Sequence, residues 1–232
     1  MNYAELFQQV QTYTENIFPD TFVELSGGNT STVNVTTQIN TFIEQAEERI
    51  YNTVQIPSLR KNVTGVATTG NPYLACPDNF LSVYSMAVIN TDGTYEYLLN
   101  KDVNFIRQSY PSPTATGLPR YYALFGSQYT NLNELAFIMG PTPDANYSVE
   151  LHYFYYPESI VTAGTSWLGD NYSPVLLYGT LVEAYTYMKG EQDMIAMYNN
   201  KYTEAMAQLK RLGDGLERGD AYRDGQARVK VL

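Results

Sequence analysis

Apolar residues follow a helical period at both ends of the chain and a strand-like pattern in its middle. Near the N-terminus they recur every three or four positions, which predicts an amphipathic helix that ends at Pro19. The apolar positions of this helix are Leu6, Phe7, Val10, Tyr13 and Ile17. Residues 19–35, which contain a Gly-Gly pair, are expected to form a loop.

A second helix is predicted to follow Thr36 or Thr37 as its N-cap and to end at Pro57. Its apolar face consists of Ile39, Phe42, Ile43, Ala46 and Ile50. Its opposite face consists of Glu44, Glu47, Glu48 and Arg49. A carboxylate metal site would need histidine partners from other helices, so we expect these glutamates to form a solvated acidic face.

The pattern changes between residues 62 and 160, where prolines and glycines separate short β-rich segments. The predicted strands are 81–89, 96–99, 121–125, 134–139 and 148–156. The last alternates clearly, with Val149, Leu151, Tyr153 and Tyr155 on one side and Glu150, His152 and Phe154 on the other. Residues 90–93, Asn-Thr-Asp-Gly, predict a hairpin turn between the first two strands. This segment is therefore expected to form a small antiparallel sandwich or barrel.

The last third of the chain returns to the helical period. One helix is predicted to begin at Ser173-Pro174, the chain turns at residues 190–192, and a second helix ends at Leu212. Apolar faces on the N- and C-terminal helices are most simply buried against one another. The predicted class is α+β, with a four-helix bundle (1–61 and 161–212), an inserted antiparallel β domain (62–160) and an extended tail (213–232).

Residues 213–232 have too few large apolar side chains to fold alone, yet they carry spaced arginines and a tyrosine. Such segments usually acquire structure on a partner. Arginine and tyrosine are frequent hot-spot residues at interfaces. We therefore expect this tail to be a docking segment, with Arg218, Tyr222, Arg223 and Arg228 as its contact residues.

Charge and composition exclude several function classes. The formal net charge is −10, and residues 166–232 are nearly balanced with 9 acidic and 8 basic residues. Since no basic stripe could neutralise several phosphates, nucleic-acid binding by counterion release is not expected. The 22 tyrosines suit interfaces as well as a β core. Neither a signal peptide nor a membrane span is predicted, which points to synthesis in a cytoplasm.

The chain is poor in groups that carry catalysis. His152 is its one histidine, which excludes histidine metal clusters and weakens the case for a Ser-His triad. Cys76 precedes a proline and has no neighbouring base in the sequence. No glycine-rich phosphate loop or dinucleotide-binding motif is present. We therefore expect no enzyme activity, no metal and no cofactor.

Several short motifs, in this order along the chain, resemble those of the head-to-tail adaptor (connector) proteins of short-tailed bacteriophages. They are 76–80 (CPDNF), 117–122 (GLPRYY), 140–144 (GPTPD), 167–168 (WL), 176–179 (LLYG), 183–185 (EAY), 190–191 (GE) and 220–225 (DAYRDG). The motifs are structural and not catalytic, and the resemblance rests on their shared order over residues 76–225. The first 60 residues resemble the family only in being helical.

The resemblance implies a structural virion protein of the phage neck that forms a dodecameric ring. Its helical bundle would be the ring body, its C-terminal extension would bind the portal protein, and its other face would bind the tail nozzle. DNA would pass through the channel without being held, and no membrane is involved. The segment 19–35 would reach a neighbouring subunit or tail protein. A carbohydrate- or receptor-binding tail component stays open as an alternative, and a virion-borne cell-wall hydrolase is the least favoured.

Overall fold

A computed structural model describes the backbone of residues 1–18, 21–25, 29–33, 35–90, 92–112, 114–126 and 135–221. Side chains are described for residues 1–18, 36–90, 92–112, 114–126 and 135–216. The helices of the described chain are α1 (Tyr3–Thr14), α2 (Val35–Thr53), α3 (Val103–Ser109), α4 (Ile160–Ala163), α5 (Trp167–Asn171), α6 (Ser173–Tyr187) and α7 (Gln192–Ala221). A short 3-10 helix spans Pro57–Leu59. The mixed α+β class is confirmed.

The strands of the described chain form one two-stranded sheet and two four-stranded sheets. They are β1 (Thr21–Leu25), β2 (Asn29–Val33), β3 (Arg60–Ala67), β4 (Tyr73–Ala75), β5 (Phe80–Ile89), β6 (Tyr95–Tyr97), β7 (Leu99–Asn100), β8 (Tyr121–Phe125), β9 (Ala136–Gly140) and β10 (Tyr147–Tyr155). The chain divides into two compact units. One, the helical unit, contains Met1–Pro57 and Pro157–Leu232, and the other, the β unit, is Ser58–Tyr156.

In the helical unit, α6 contacts α1, α2 and α7. Its N-terminus has a proline in the first turn, a position at which a missing N–H costs nothing. Gly179 on α6 lets its neighbours approach closely, since a β-carbon there would lie 3.2 Å from the Tyr202 ring and 3.3 Å from Cβ of Ala46. At Gly179, therefore, α6 lies close to both α2 and α7.

The first helix is shorter than predicted. It starts with a capping box, in which the Asn2 side chain accepts a hydrogen bond from the Glu5 N–H and the Glu5 side chain accepts one from the Asn2 N–H. It ends at Thr14 because Glu15 adopts the left-handed conformation, with φ 48°. Leu6 and Val10 are fully buried, but Ile17 is 77% exposed, so its predicted place on the apolar face is wrong.

The second helix has the predicted apolar face, with Ile39, Ile43, Ala46 and Ile50 fully buried. It begins at Val35, before the predicted threonine cap. The prediction of a loop over 19–35 is also wrong, because β1 and β2 pair there as an antiparallel hairpin. The two strands are rich in threonine, valine and phenylalanine, which favour the extended conformation on both sides of the Gly-Gly pair.

The β unit is a sandwich of two sheets with strand orders β3-β10-β5-β6 and β4-β9-β8-β7. One core cluster draws on both sheets; it includes Met86, Val88, Tyr122, Phe137, Val149, Leu151 and Tyr153. The predicted hairpin turn is confirmed by the pairing of β5 with β6 and by the Asn90 N–H, which donates to the Thr94 carbonyl at 2.9 Å. The pairing is not purely antiparallel as predicted, because β7 lies parallel to β8.

Three elements of the β unit were missed in the sequence, namely β3, β4 and α3. β3 has no clear alternation, and most of its residues are exposed. α3 is short and is held by its cap, where the Asp102 side chain accepts from the Asn104 N–H at 2.7 Å. Short or exposed elements of this kind leave a weak hydrophobic pattern.

The last helix is longer than predicted. It continues from Leu212 to Ala221, so the first part of the predicted extended tail is helical. Glycine in a helix costs only about 0.5–1 kcal/mol relative to alanine, and therefore weakens a helix without ending it. Leu209 is fully buried and Gly213 is buried beside the carbonyl oxygen of Gln55, so this stretch packs against the end of α2.

Candidate assembly surfaces

The C-terminal end of α7 extends past α6. At 1.5 Å per residue, the 30-residue α7 is about 45 Å long and the 15-residue α6 about 22 Å. Beyond the buried Leu209, the side chains of Leu212 and Leu216 are 39% and 52% exposed. This end of α7 thus presents apolar side chains to solvent immediately before the predicted docking residues.

Of those four predicted contact residues, only Arg218 has a described backbone, and it lies on α7. Its side chain is not among the described ones. Tyr222, Arg223 and Arg228 lie outside the described residues. The docking role of all four therefore remains a prediction.

A groove between α2 and α6 is lined partly by aromatic rings. Its volume is about 470 Å³, and its lining residues are Gln38, Thr41, Phe42, Gln45, Glu183, Thr186 and Tyr187. The ring of Phe42 lies 5.2 Å from that of Tyr187 and 5.7 Å from that of Phe18, centroid to centroid. Tyr187 is 51% exposed, so the groove opens to solvent beside a packed aromatic cluster.

The carboxylates of Glu183 and Glu47 link α2 to parts of the helical unit that are distant in the sequence. Arg49 on α2 forms a salt bridge with Glu183 on α6, and its guanidinium lies 5.9 Å from the Tyr202 ring centroid on α7. Glu47 is only 3% exposed, and its Oε1 accepts a 3.0 Å hydrogen bond from the Ile160 N–H. Burial raises the pKa of the Glu47 carboxyl, while hydrogen bonds from Ser159 and Ile160 oppose that rise. The prediction of a wholly solvated acidic face is therefore wrong for Glu47, which lies four residues after the buried Ile43.

In the β unit, Arg60 is held between two aromatic rings. Its guanidinium carbon lies 4.0 Å from the ring centroid of Tyr84 and 4.8 Å from that of Phe154. The neighbouring Lys61 has its Nζ 3.9 Å from the ring centroid of Tyr155. Each such contact contributes about 0.5–1 kcal/mol at an exposed site. The first two residues of β3 therefore hold their positive charges in fixed positions on the surface of the sandwich.

The opposite edge of the same sheet carries exposed apolar side chains. Tyr95 and Tyr97 on β6 are 51% and 64% exposed, whereas Leu98, which follows them, is buried. Leu99, on β7 of the other four-stranded sheet, is 58% exposed. The sequence had given this stretch only as a strand. Its alternation of tyrosines with polar residues also fits a half-buried strand, so the sequence held no signal for the exposure.

Cys76 and His152 are the two residues that the sequence analysis weighed for catalysis. Burial raises the pKa of the Cys76 thiol to about 12, which suppresses the reactive thiolate near neutral pH. His152 has its Nδ1 3.3 Å from the hydroxyl of Ser85 on the adjacent strand. Within the part of the chain that the structure describes, no group of three or more histidine, cysteine, aspartate or glutamate side chains is placed to hold a metal ion. No helix in that part is both long and apolar enough to cross a membrane.

Comparison with known proteins gives one family. The family model described as "SU10 adaptor protein" matches residues 1–230, nearly the whole chain. No curated protein sequence matches the chain. The match confirms the resemblance to phage head-to-tail adaptors that the sequence motifs indicated, and it extends to the N-terminal helices that those motifs did not cover. The chain belongs to the SU10 adaptor protein family and is thus a structural adaptor of a bacteriophage virion.

Proposed function

We propose that the chain forms a homo-oligomeric ring, a dodecamer, that joins the capsid portal protein to the tail nozzle and encloses the DNA channel. The observation that carries this proposal is the family match over residues 1–230, because an adaptor must bind both head and tail components. The helical unit would supply the ring body as a four-helix bundle of α1, α2, α6 and α7. The contacts of α6 with α1, α2 and α7 support that arrangement.

The charge of the chain suits a channel that DNA passes through. With a formal net charge of −10, its surface repels the phosphate backbone, so DNA in the lumen would not be held. The exposed tyrosines and leucines of both units suit contacts with other virion proteins, since large exposed apolar side chains mark interaction surfaces when they cluster.

Residues 213–232 would be the portal-binding element. The apolar end of α7 would contribute Leu216, and the contact residues would be Arg218, Tyr222, Arg223 and Arg228. A helix that carries apolar side chains at its end can lie in a groove of a partner. Arginines next to it would pair with carboxylates on that partner.

Co-sedimentation with purified portal rings tests this element. The chain truncated after Gly213, and the variant with all four contact residues changed to alanine, should both lose binding. Arg211→Ala is the matched control, because Arg211 is an exposed arginine on α7 that precedes the element, and it should bind like the unaltered chain. Undiminished binding by the truncated chain would refute the portal role.

The β unit would contact the tail nozzle. A chain in which the β unit, residues 58–156, is replaced by a short glycine-serine linker should still bind portal rings but should not bind the nozzle protein. Nozzle binding by this variant, with its helical circular dichroism preserved, would refute the assignment.

A carbohydrate- or receptor-binding role is the second candidate, and the exposed Tyr84, Tyr95 and Tyr97 favour it as aromatic platforms. A glycan array probed with the full-length chain separates the two functions. Specific glycan binding that is lost on Tyr97→Ser would support this candidate, and an array without signal would exclude it.

A further inference from the structure

Among the described strands, β3 and β6 are the two edges of the sheet β3-β10-β5-β6, and neither pairs with a further strand. Both carry exposed apolar side chains. At the β3 edge, Val63 and Val66 are 39% and 58% exposed. At the other edge, which we call the β6 edge (residues 92–98), the exposed side chains include Tyr95 and Tyr97. Isolated proteins usually block such edges with proline, charge or a covering loop, because free strands pair with other chains.

The hydrogen bonds of β6 show which of its backbone groups point away from β5. The Asn90 N–H donates to the Thr94 carbonyl, and the Leu98 N–H donates to the Met86 carbonyl, both at 2.9 Å. In an antiparallel ladder, alternate residues face the partner strand and the residues between them face away. The N–H and C=O groups of Tyr95 and Tyr97 therefore point toward the open side of the sheet.

The direction of the strands favours one mode of association. All neighbouring strands of this sheet are antiparallel. Since the sheet has four strands, its two edge strands run in opposite directions. When one copy follows another head to tail, β6 of the first lies antiparallel to β3 of the next, which is the stronger pairing.

The charges of the two edges are complementary. The β3 strand carries Arg60 and Lys61 and no acidic residue, a net charge of +2. The β6 edge carries Asp92 and Glu96 and no basic residue, a net charge of −2. The positive β3 edge of one copy attracts the negative β6 edge of another, whereas two β3 edges or two β6 edges repel each other. The charges therefore favour head-to-tail over two-fold pairing.

We propose that β3 of one copy adds to the β6 edge of the next, so that the sheets of neighbouring copies join into one continuous sheet around the ring. This interface rests on the proposed ring. Head-to-tail contacts of one kind close into rings when the rotation between copies allows it. The occupant of each edge is thus a second copy of this chain.

Cross-linking between the two edges tests the interface. The full-length chain carries Thr64→Cys on β3 and Thr94→Cys beside β6, both exposed positions, in a Cys76→Ala background. It is treated with a short bismaleimide, alone at high concentration and after mixing with portal rings. We expect a ladder of dimers, trimers and larger species in at least one of these samples.

The single-cysteine chains are the controls, and they should give no ladder. A ladder that is absent from every sample of the double-cysteine chain overturns the interface. Dimers that form equally well from either single-cysteine chain overturn it too, because they indicate two-fold pairing. If the ladder forms but the chain does not co-sediment with portal rings, the portal role fails and the interface stands.

A second experiment distinguishes the contribution of the Tyr97 backbone N–H to association from that of its side chain. Tyr97→Pro removes an edge N–H that does not bond to β5, whereas Tyr97→Thr keeps that N–H and removes only the ring. By analytical ultracentrifugation or by cross-linking on the portal, we expect Tyr97→Pro to weaken association at least about tenfold and more than Tyr97→Thr. Equal association of the unaltered and Tyr97→Pro chains would contradict strand addition.

Discussion

The backbone N–H of Ile160 donates a 3.0 Å hydrogen bond to Oε1 of Glu47, which precedes it by 113 residues. Ile160 begins α4, the first helix after the chain re-enters the helical unit at Pro157. The buried carboxylate therefore fixes the path of the returning chain against α2. A polar group buried there needs its partner, because an unsatisfied one costs about 1–3 kcal/mol.

Glu47→Gln should stabilise the protein at pH 8. The amide oxygen can accept the same hydrogen bond, and no buried charge remains. Burial raises the pKa of Glu47 in the folded state, so the stability linked to this group is complete below its unfolded pKa and declines as the pH rises through the folded pKa. Each unit of that rise is worth about 1.4 kcal/mol.

Thermal unfolding at pH 8 and pH 4 measures this effect. We expect the Tm of Glu47→Gln to exceed that of the unaltered chain by roughly 2–4 °C per kcal/mol gained at pH 8, and by much less at pH 4. Glu48→Gln on the exposed face is the matched control and should change little at either pH. A loss of stability in Glu47→Gln at pH 8 would show that the charge itself is needed.

Gly215→Ala should raise both the helix content and the stability. Gly215 lies inside α7, and a β-carbon there would meet nothing within 4 Å. Alanine in a helix interior is favoured by about 0.5–1 kcal/mol over glycine. Far-ultraviolet circular dichroism and thermal unfolding check this. An unfolding temperature that does not rise would contradict a helical conformation at Gly215.

Gly179→Leu should destabilise the helical unit by about 1–3 kcal/mol. The new side chain would have to displace Tyr202 and Ala46 at the point where α6 meets α7 and α2. Urea unfolding followed by circular dichroism gives the change in free energy. Gly126→Leu is a control of the same chemistry at an open position, where a β-carbon meets nothing within 4 Å. Equal stability of the two variants would contradict the close packing at α6.

The thiol of Cys76 should react slowly in the folded protein. Burial raises its pKa to about 12, whereas an unfolded cysteine has a pKa of about 8.5, so the thiolate fraction at pH 8 falls by roughly a thousandfold. Reaction with Ellman's reagent at pH 8, with and without denaturant, tests this. We expect at least a hundredfold difference in rate, and similar rates would mean that the site is open.

The elements that the sequence predicted correctly are those with a strong period and deep burial. The apolar face of α2 and the alternation of Val149, Leu151 and Tyr153 are visible because one side of each element is buried. Glu47 was misread because its carboxylate lies at the margin of that face, where its partner, the Ile160 N–H, comes from far along the chain. No local pattern reveals a hydrogen bond of that range.

The assembly surfaces were less predictable than the fold. The exposure of Tyr95 and Tyr97 depends on β6 being the last strand of its sheet, which is a property of topology and not of the residues themselves. Gly213, at which the extended tail was predicted to begin, lies inside α7 and is buried beside the carbonyl oxygen of Gln55, a residue far away in the sequence. The adaptor family was accessible from the sequence, because the order of its turn motifs survives where the hydrophobic period is weak.

Electron microscopy of the purified full-length chain, with and without portal rings, tests the central proposal most directly. The proposal predicts a ring of additional density on one face of the portal, with the same rotational symmetry as the chain's own assembly. Portal rings that show no added density in the presence of excess chain would contradict it.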